Sequence, residues 1–343
     1  MANSRFGKNL ALTAAAICAL LLAYWLWTRS DTPAVVVYTS VDQVFSEPVL
    51  RRFEEITGTR IRAVFDTEET KSTGVLNRLI AEAQNPQADV FWSGDPVRPF
   101  LLVDRRLVEP YASKEAREIP PGFRATDGTW TGFAARARVL LVNREKLGET
   151  ELPRSVRDLA APRWRGQAAI ANPVFGTTTM HVAAWFSAWG AEEAKGFLAA
   201  LKENEVRVAS SNGEVKRLVV AGEVTFGLTD TDDAFVAVQS GAPVEVVYPD
   251  QDGTGTLVMP TVVVLLRGGP DSVAARGLID YLLSAEVETA LAESAAHLPL
   301  RSDAARPAHI RSVAELRSMK VDYADVAKQM EKIQPWLREW AGL

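Results

Sequence analysis

From residue 34 onward, apolar strand-like runs alternate with helical runs, and that alternation leaves few folds open. Val35-Val36-Val37-Tyr38 is apolar on both faces, as a strand covered on both sides must be. A helical stretch follows, with Val49, Leu50, Phe53 and Ile56 on one face and Gly58 just past its end. Pro48 fits that helix only in the first turn, where the N–H it lacks has no helical partner anyway. Residues 60–65 read as a second strand. Residues 72–83 read as a helix with Val75, Leu76, Leu79, Ile80 and Ala83 inward. Residues 89–92 read as a third strand, and a helix follows Pro96. Alternation of this kind builds a mostly parallel sheet flanked by helices on both faces.

The middle of the chain repeats the logic. Residues 138–143 form a strong strand pattern, and 167–171 another, followed by a helix over 177–189. Strands at 206–209 and 224–228 each run into a helix. Residues 257–266 are a long apolar run interrupted by Pro260. The tail, 313–340, is amphipathic, with Trp336 and Trp340 at helical spacing. The pattern predicts two α/β lobes: 34–110 with about 258–305, and about 111–257. The chain crosses between them near 109–111, 130–138 and 257–261, and helices in 306–343 pack on the lobes. Several crossings make a hinge rather than a string of independent domains.

Ahead of the lobes, Arg5 and Lys8 precede an uncharged run of 18 residues, 10–27, and Arg29 follows it. That order is the order of an export signal. The run also reaches the roughly 17–25 residues that span a bilayer. Tyr24, Trp25 and Trp27 stand at its far end, where an aromatic belt would sit. Residues 1–33 therefore read as a signal peptide or a retained membrane anchor, and both remain open. These residues carry +2, so the remainder carries −7 of the net −5. A mildly acidic body offers no basic surface for nucleic acid. The single cysteine, Cys18, lies in the apolar run, which excludes intramolecular disulfides and thiolate metal sites from the body.

In open α/β sheets, ligands bind beyond the carboxyl ends of the strands. Here those ends are polar. They run into Tyr38-Thr39-Ser40-Val41-Asp42, Asp66-Thr67-Glu68-Glu69-Thr70 and Ser93-Gly94-Asp95-Pro96 in the first unit. In the second they run into Asn172-Pro173-Val174-Phe175-Gly176-Thr177-Thr178-Thr179, Ser210-Ser211-Asn212-Gly213 and Thr229-Asp230-Thr231-Asp232-Asp233. Two facing rims of this kind enclose a polar cleft. Each segment is also an ordinary helix cap, but three acids within 230–233 exceed what one cap needs. Gly176 and its threonines form a candidate anion nest at a helix start. Arg136 and Arg138 share one face of an extended segment, placed either to bind an anion or to pair with acids between the lobes. The three histidines, His181, His297 and His309, are scattered, and no nucleophile–base pair, Walker loop or dinucleotide fingerprint occurs. The chain reads as a binding protein and not an enzyme.

The order Val-Val-Val-Tyr-Thr-Ser (35–40), Phe53-Glu54-Glu55-Ile56-Thr57-Gly58, Ala88-Asp89-Val90-Phe91-Trp92, Arg136-Ala137-Arg138-Val139, the segment 158–166 and Leu298-Pro299-Leu300 resembles the periplasmic ferric-ion-binding proteins of ABC transporters across about 34–305. The resemblance implies a class II, two-lobed periplasmic-binding-protein fold that closes on its ligand. It also implies an extracytoplasmic location and delivery to a permease in the inner membrane. Where that family commonly has a histidine after strand one, this chain has Asp42. Where it has a glutamate after strand three, the loop is Ser93-Gly94-Asp95. The family's adjacent tyrosines would align near Asp230-Thr231. The anion-binding helix start does align, at Phe175-Gly176-Thr177, so the chain resembles a subgroup lacking the tyrosine pair.

Three ligand classes follow. Asp42, Glu68, Asp95, Asp230 and Asp232 are hard oxygen donors for a metal cation, nominally ferric iron, with or without a synergistic anion at Gly176, Thr177 and Thr178. Ser40, Thr67 and Thr231 complete the ligand-binding rim, and Arg136, Arg138 and the helix start also suit a phosphonate or other oxyanion. A polyamine would use the same acids with Trp92 or Trp130 stacked on an ammonium. A membrane-anchored ligand sensor is the alternative to transport. As a metal ligand, Asp230 should be removable without loss of the unliganded fold. A monomer is expected.

Overall fold

The computed structural model describes residues 34–66, 74–149 and 151–343. The apolar run 10–27 and the rim residues Thr67 and Glu68 lie outside them. Among the described residues, no helix is long and apolar enough to cross a membrane.

The chain begins β1 (Ala34–Thr39), α1 (Gln43–Thr57), β2 (Arg60–Phe65), α2 (Gly74–Ala81), β3 (Val90–Ser93), α3 (Val97–Asp104) and β4 (Val108–Glu109). It continues with β5 (Thr131–Asn143), β6 (Ala168–Ala171), α4 (Gly176–Trp189), α5 (Ala191–Glu203), β7 (Arg207–Ala209), α6 (Asn212–Val220), β8 (Phe226–Asp230), α7 (Thr231–Gln239) and β9 (Val244–Val247). It returns through β10 (Val258–Leu266), α8 (Ser272–Leu282) and α9 (Ala285–Ala295), and ends in α10 (Tyr323–Ala341).

The strands form one path, β2-β1-β3-β10-β5-β8-β6-β7, with β4 beside β10 and β9 beside β5. The β1–β2, β1–β3, β6–β7 and β6–β8 pairs are parallel, as the alternation requires. The middle differs from the expected parallel sheet. β10 runs antiparallel to β3 and β5, and β5 antiparallel to β8 and β9. The reason is the length of β5. Its first half, through Ala137, pairs with β10, and its second half, from Arg138, pairs with β8 and β9. One strand thus belongs to both halves of the sheet, and the arginines sit at the change of partners.

Local chemistry explains the element ends. Gly58 takes the left-handed conformation (φ 70°) that closes α1. Pro48 is not in the first turn of α1 but inside the helix, and Ile56 is exposed rather than inward. The buried stripe is Val49, Leu50 and Phe53, with Ser46 bonded back to the Val41 and Asp42 carbonyls. Pro260 cannot donate to a ladder, and the β5–β10 register shifts between Met259 and Thr261. α10 packs across both α4 and α3, two of the helices that start at the polar rims. Past Glu109 the chain stays against the first half: Tyr111 and Ser113 both donate to Asp280 of α8.

Candidate functional site

Asp230 ends β8, and its buried carboxylate, 2% exposed, is the centre of the polar cluster. Arg138 Nη1 donates to its Oδ1 at 2.5 Å, and Arg136 Nη1 approaches Oδ2 at 3.5 Å. The Thr177 hydroxyl donates to Oδ2 at 2.8 Å, and the Asn212 amide donates to it at 3.2 Å. Both lone-pair sets of Asp230 are occupied. Burial works against its charge, but the two guanidiniums outweigh that and hold its carboxyl below the usual range. Arg138 is fully buried and also donates to Thr177, Asn212 and Thr178. Its Nε is a buried donor with no partner among the described residues.

Arg136 links the loop after β3 to the first turn of α7. Nη2 donates to the Gly94 carbonyl at 2.7 Å, beyond β3, while Nη1 also faces Asp232 at 3.4 Å, in α7. Burial would favour its neutral form. Asp232, Asp230, Asp42 and Asp95 together overcome this and raise its pKa. Asp232 behaves oppositely. Burial pushes its carboxyl up to about 6; Arg136 pulls it down, while repulsion from Asp230 and Asp233 adds to the rise. Asp233 itself pairs with Lys216 at 3.1 Å.

The remaining rim residues are distributed as follows. Ser40 accepts the Gly94 amide at 3.0 Å and so fixes the loop that holds Arg136. Asp95 caps α3 through the Val97 and Arg98 amides and pairs with the Arg98 side chain at 2.6 Å. Asp42 opens α1 and contributes to the field at Arg136. Thr231 accepts the Ala137 amide, which ties α7 to β5. Gly176, at φ 61°, starts α4 next to Phe175, whose side chain cannot cap, and in that uncapped first turn the Thr177 hydroxyl accepts from Arg138. Asn212 contributes more than its rim segment alone indicates. Ser211 takes the capping role in α6, which leaves the Asn212 amide for Thr177 and Asp230. Among the described residues, no three His, Cys, Asp or Glu side chains converge closely enough to hold a metal ion.

The aromatic partners proposed for a polyamine lie elsewhere. Trp92 is 0% exposed and packs on Phe133 at 5.6 Å, so it presents no face to a ligand. Trp130 lines an open groove of about 380 Å³ with Phe100, Arg124 and Tyr323. The described tyrosines are also engaged away from the cluster: Tyr38 with Glu82, Tyr111 with Asp280, Tyr281 with Glu286 and Tyr323 with the Val258 carbonyl, while Tyr248 lies under Arg311. His181 is packed against Trp185 at 4.6 Å, and burial followed by the Arg138 charge holds it well below its ordinary pKa.

A mixed sheet shared by two α/β halves, with polar strand ends meeting at a crossing strand, defines the two-lobed periplasmic-binding-protein fold. The apo ferric ion-binding protein A of Pasteurella haemolytica has it, with a TM-score of 0.80 and 23% identity over 90% of this chain and 98% of that one. So does AfuA of Actinobacillus pleuropneumoniae, solved with fructose-6-phosphate, with a TM-score of 0.77 and 22% identity over 91% and 100%. The chain belongs to the family of bacterial extracellular solute-binding proteins, whose model matches residues 85–326. It is a periplasmic solute-binding protein of an ABC importer, and its relatives bind substrates rather than transform them. An uncharacterized protein of Haemophilus influenzae is 31% identical over 260 residues, 74% of this chain and 73% of that one. Iron uptake protein A1 of Synechocystis is 25% identical over 303 residues, 84% and 83%. A putative 2-aminoethylphosphonate-binding periplasmic protein of Salmonella typhi is 26% identical over 294 residues, 84% and 80%.

Proposed function

We propose that this protein captures a small solute through an oxyanion group, of the phosphonate or phosphate kind, held between Arg136 and the first turn of α4, with the buried Arg138 adding positive charge behind them. The observation that carries the reading is the occupancy of Asp230. Its oxygens neutralise two arginines, so it serves as their counter-ion and not as an open metal ligand. Asp95 is similarly committed to a helix start and Arg98. Backbone amides at an uncapped helix start and forked guanidiniums are the donors that suit a tetrahedral oxyanion. The relative named for 2-aminoethylphosphonate supports the same class. Ferric iron is the second reading, favoured by the relatives named for iron, and would need a synergistic anion at the same helix start. In this account the two lobes, with the segment after residue 110 kept on the first lobe until β5, close about the ligand over a hinge at 130–138 and 257–261. The loaded monomer then delivers it to the inner-membrane permease, and residues 10–27 tether the protein if they are retained.

A thermal-shift comparison tests the ligand class. A ligand at about 100 times its dissociation constant stabilises by roughly 2.7 kcal/mol. Inorganic phosphate or 2-aminoethylphosphonate is expected to raise the melting temperature, and ferric citrate and spermidine to leave it in place. A shift with the ferric salt and none with the oxyanions would reverse the two readings.

Asp232 gives the site a pH dependence with a definite sign. Its carboxyl holds a proton more tightly folded than unfolded, so its contribution to stability is full below the ordinary carboxylate range and is lost as pH rises through about 6. A proton there also removes a negative charge beside Arg136. Binding of a sulfonate probe, whose own charge is constant, should therefore tighten several-fold from about pH 7.5 to about pH 5.5. In Asp232→Asn the affinity should be high and flat across that range. An unchanged slope in the variant would assign the titration to another group.

A further inference from the structure

Two residues before Arg136, the crossing strand departs from regular geometry. Ala134 has φ 43°, in the left-handed region that side chains other than glycine rarely enter. It lies opposite the register shift at Pro260, where the β5–β10 ladder is broken. Its amide therefore turns out of the sheet and donates to Glu288 Oε1 of α9 at 2.8 Å. The same carboxylate accepts the amides of Leu300 at 3.2 Å and Arg301 at 2.8 Å. Glu288 is 0% exposed. Beside it, Ala135 and Leu298 exchange both backbone hydrogen bonds, at 2.9 and 2.6 Å. One buried carboxylate thus clamps the bulge of β5 to the 298–301 turn. Glutamate suits the position chemically because three donors converge there. A glutamine would turn its own N–H groups toward one of them.

The clamp stands where β5 changes partners. Immediately past it come Arg136, which spans Gly94 and Asp232, and Arg138, which holds Asp230. His297, next to Leu298, is buried beside Arg136 and stays neutral, with a pKa lowered to about 3 by burial and then by that guanidinium. It therefore adds no charge of its own to the clamp. We infer that Glu288 is a positioning residue for ligand capture: by holding the bulge at Ala134 it fixes the direction in which β5 leaves the first half of the sheet, and so the place of both arginines in the cleft. The inference rests on the reading in which Arg136 receives the ligand's oxyanion.

The test separates positioning from stability. Glu288→Gln is compared with Leu278→Ala, a cavity variant at a fully buried position of α8. Inorganic phosphate affinity is measured calorimetrically at a temperature where circular dichroism shows both folded, and the Glu288→Gln crystal structure is determined. Glu288→Gln should bind phosphate about tenfold or more weakly, the loss of one charge-assisted bond to the ligand. In its crystal structure Arg136 should be drawn off Gly94 and Asp232. Leu278→Ala should melt earlier yet bind within about twofold of the wild type, as expected for a distant, uncoupled site. Adding Ala134→Gly to Glu288→Gln should return part of the affinity, because glycine adopts the left-handed turn without strain. Wild-type phosphate affinity in Glu288→Gln, or Arg136 still seated on Gly94 in its crystal structure, would overturn the proposal. If Glu288→Gln does not fold, Glu288→Asp, which keeps the charge but cannot span all three amides, is read the same way. If the wild type itself ignores phosphate and phosphonates, the ligand reading fails, and the position of Arg136 in the variant crystal structure decides the role of Glu288 alone.

Discussion

Asp230→Asn should lower the stability of the unliganded protein by about 3–5 kcal/mol, the cost of stranding one member of a buried ion pair. Arg138 is fully buried, and Asp230 is the acid that neutralises it. An asparagine oxygen can still accept a hydrogen bond, but it brings no charge, and the guanidinium is left in a low-dielectric site with a second arginine nearby. Stabilities of whole domains are only about 5–15 kcal/mol, so a large share of the margin is at stake. This reverses the expectation drawn from the sequence, in which Asp230 is a metal ligand that the empty fold can spare. A urea-denaturation midpoint measures it. Pairing Asp230→Asn with Arg138→Met should recover much of the loss, since the stranded charge goes too. A variant whose midpoint matches the wild type would mean that the Arg138–Asp230 pair is not the structural unit described.

Arg136→Gln should do the opposite: spare the fold and abolish capture. Its contacts with Asp230 and Asp232 are long, 3.5 and 3.4 Å, and its strong bond is to a single loop carbonyl. The stability cost should be modest. Affinity for a phosphonate should drop by about 2–4 kcal/mol, roughly 30- to 1000-fold, as when one partner of a desolvated charge pair is truncated. Arg136→Lys should recover only part, because a lysine keeps the charge and loses the fork that bonds a carbonyl and an oxyanion together. Calorimetric titration of the three proteins checks the order. Equal affinities in wild type and Arg136→Gln would remove Arg136 from the ligand's path.

Much of the fold is visible in the sequence because strands buried on both faces are written as apolar runs: the parallel β1 and β6 are plain, and so is the antiparallel β10 despite Pro260. β5 is half visible. Its second half, Val139 to Val142, is apolar, but its first half is Gly132, three alanines and Arg136 around a single phenylalanine, with little β-branched character. Neighbouring strands and the Glu288 clamp make it a strand. The rule for prolines puts Pro48 in a first turn, yet α1 already begins at Gln43, ahead of it. At the site, alternation correctly puts Arg136 and Arg138 toward one neighbour, Asp230. Spacing alone cannot say that the acids are counter-ions to those arginines, because pairing across 92 residues of sequence appears only once the sheet is assembled. The role of Asn212 is hidden for a similar reason: Ser211 and Asn212 are both good caps, and only the structure shows which one takes the position.

The most direct measurement is a crystal structure of the protein with 2-aminoethylphosphonate, beside one grown with ferric citrate. The account places the phosphonate oxygens on the first-turn amides of α4 and on the Arg136 guanidinium, with the buried Arg138–Asp230 pair intact behind them. A ferric ion bound directly by Asp230 and Asp232, with Arg138 displaced from the carboxylate, would contradict it.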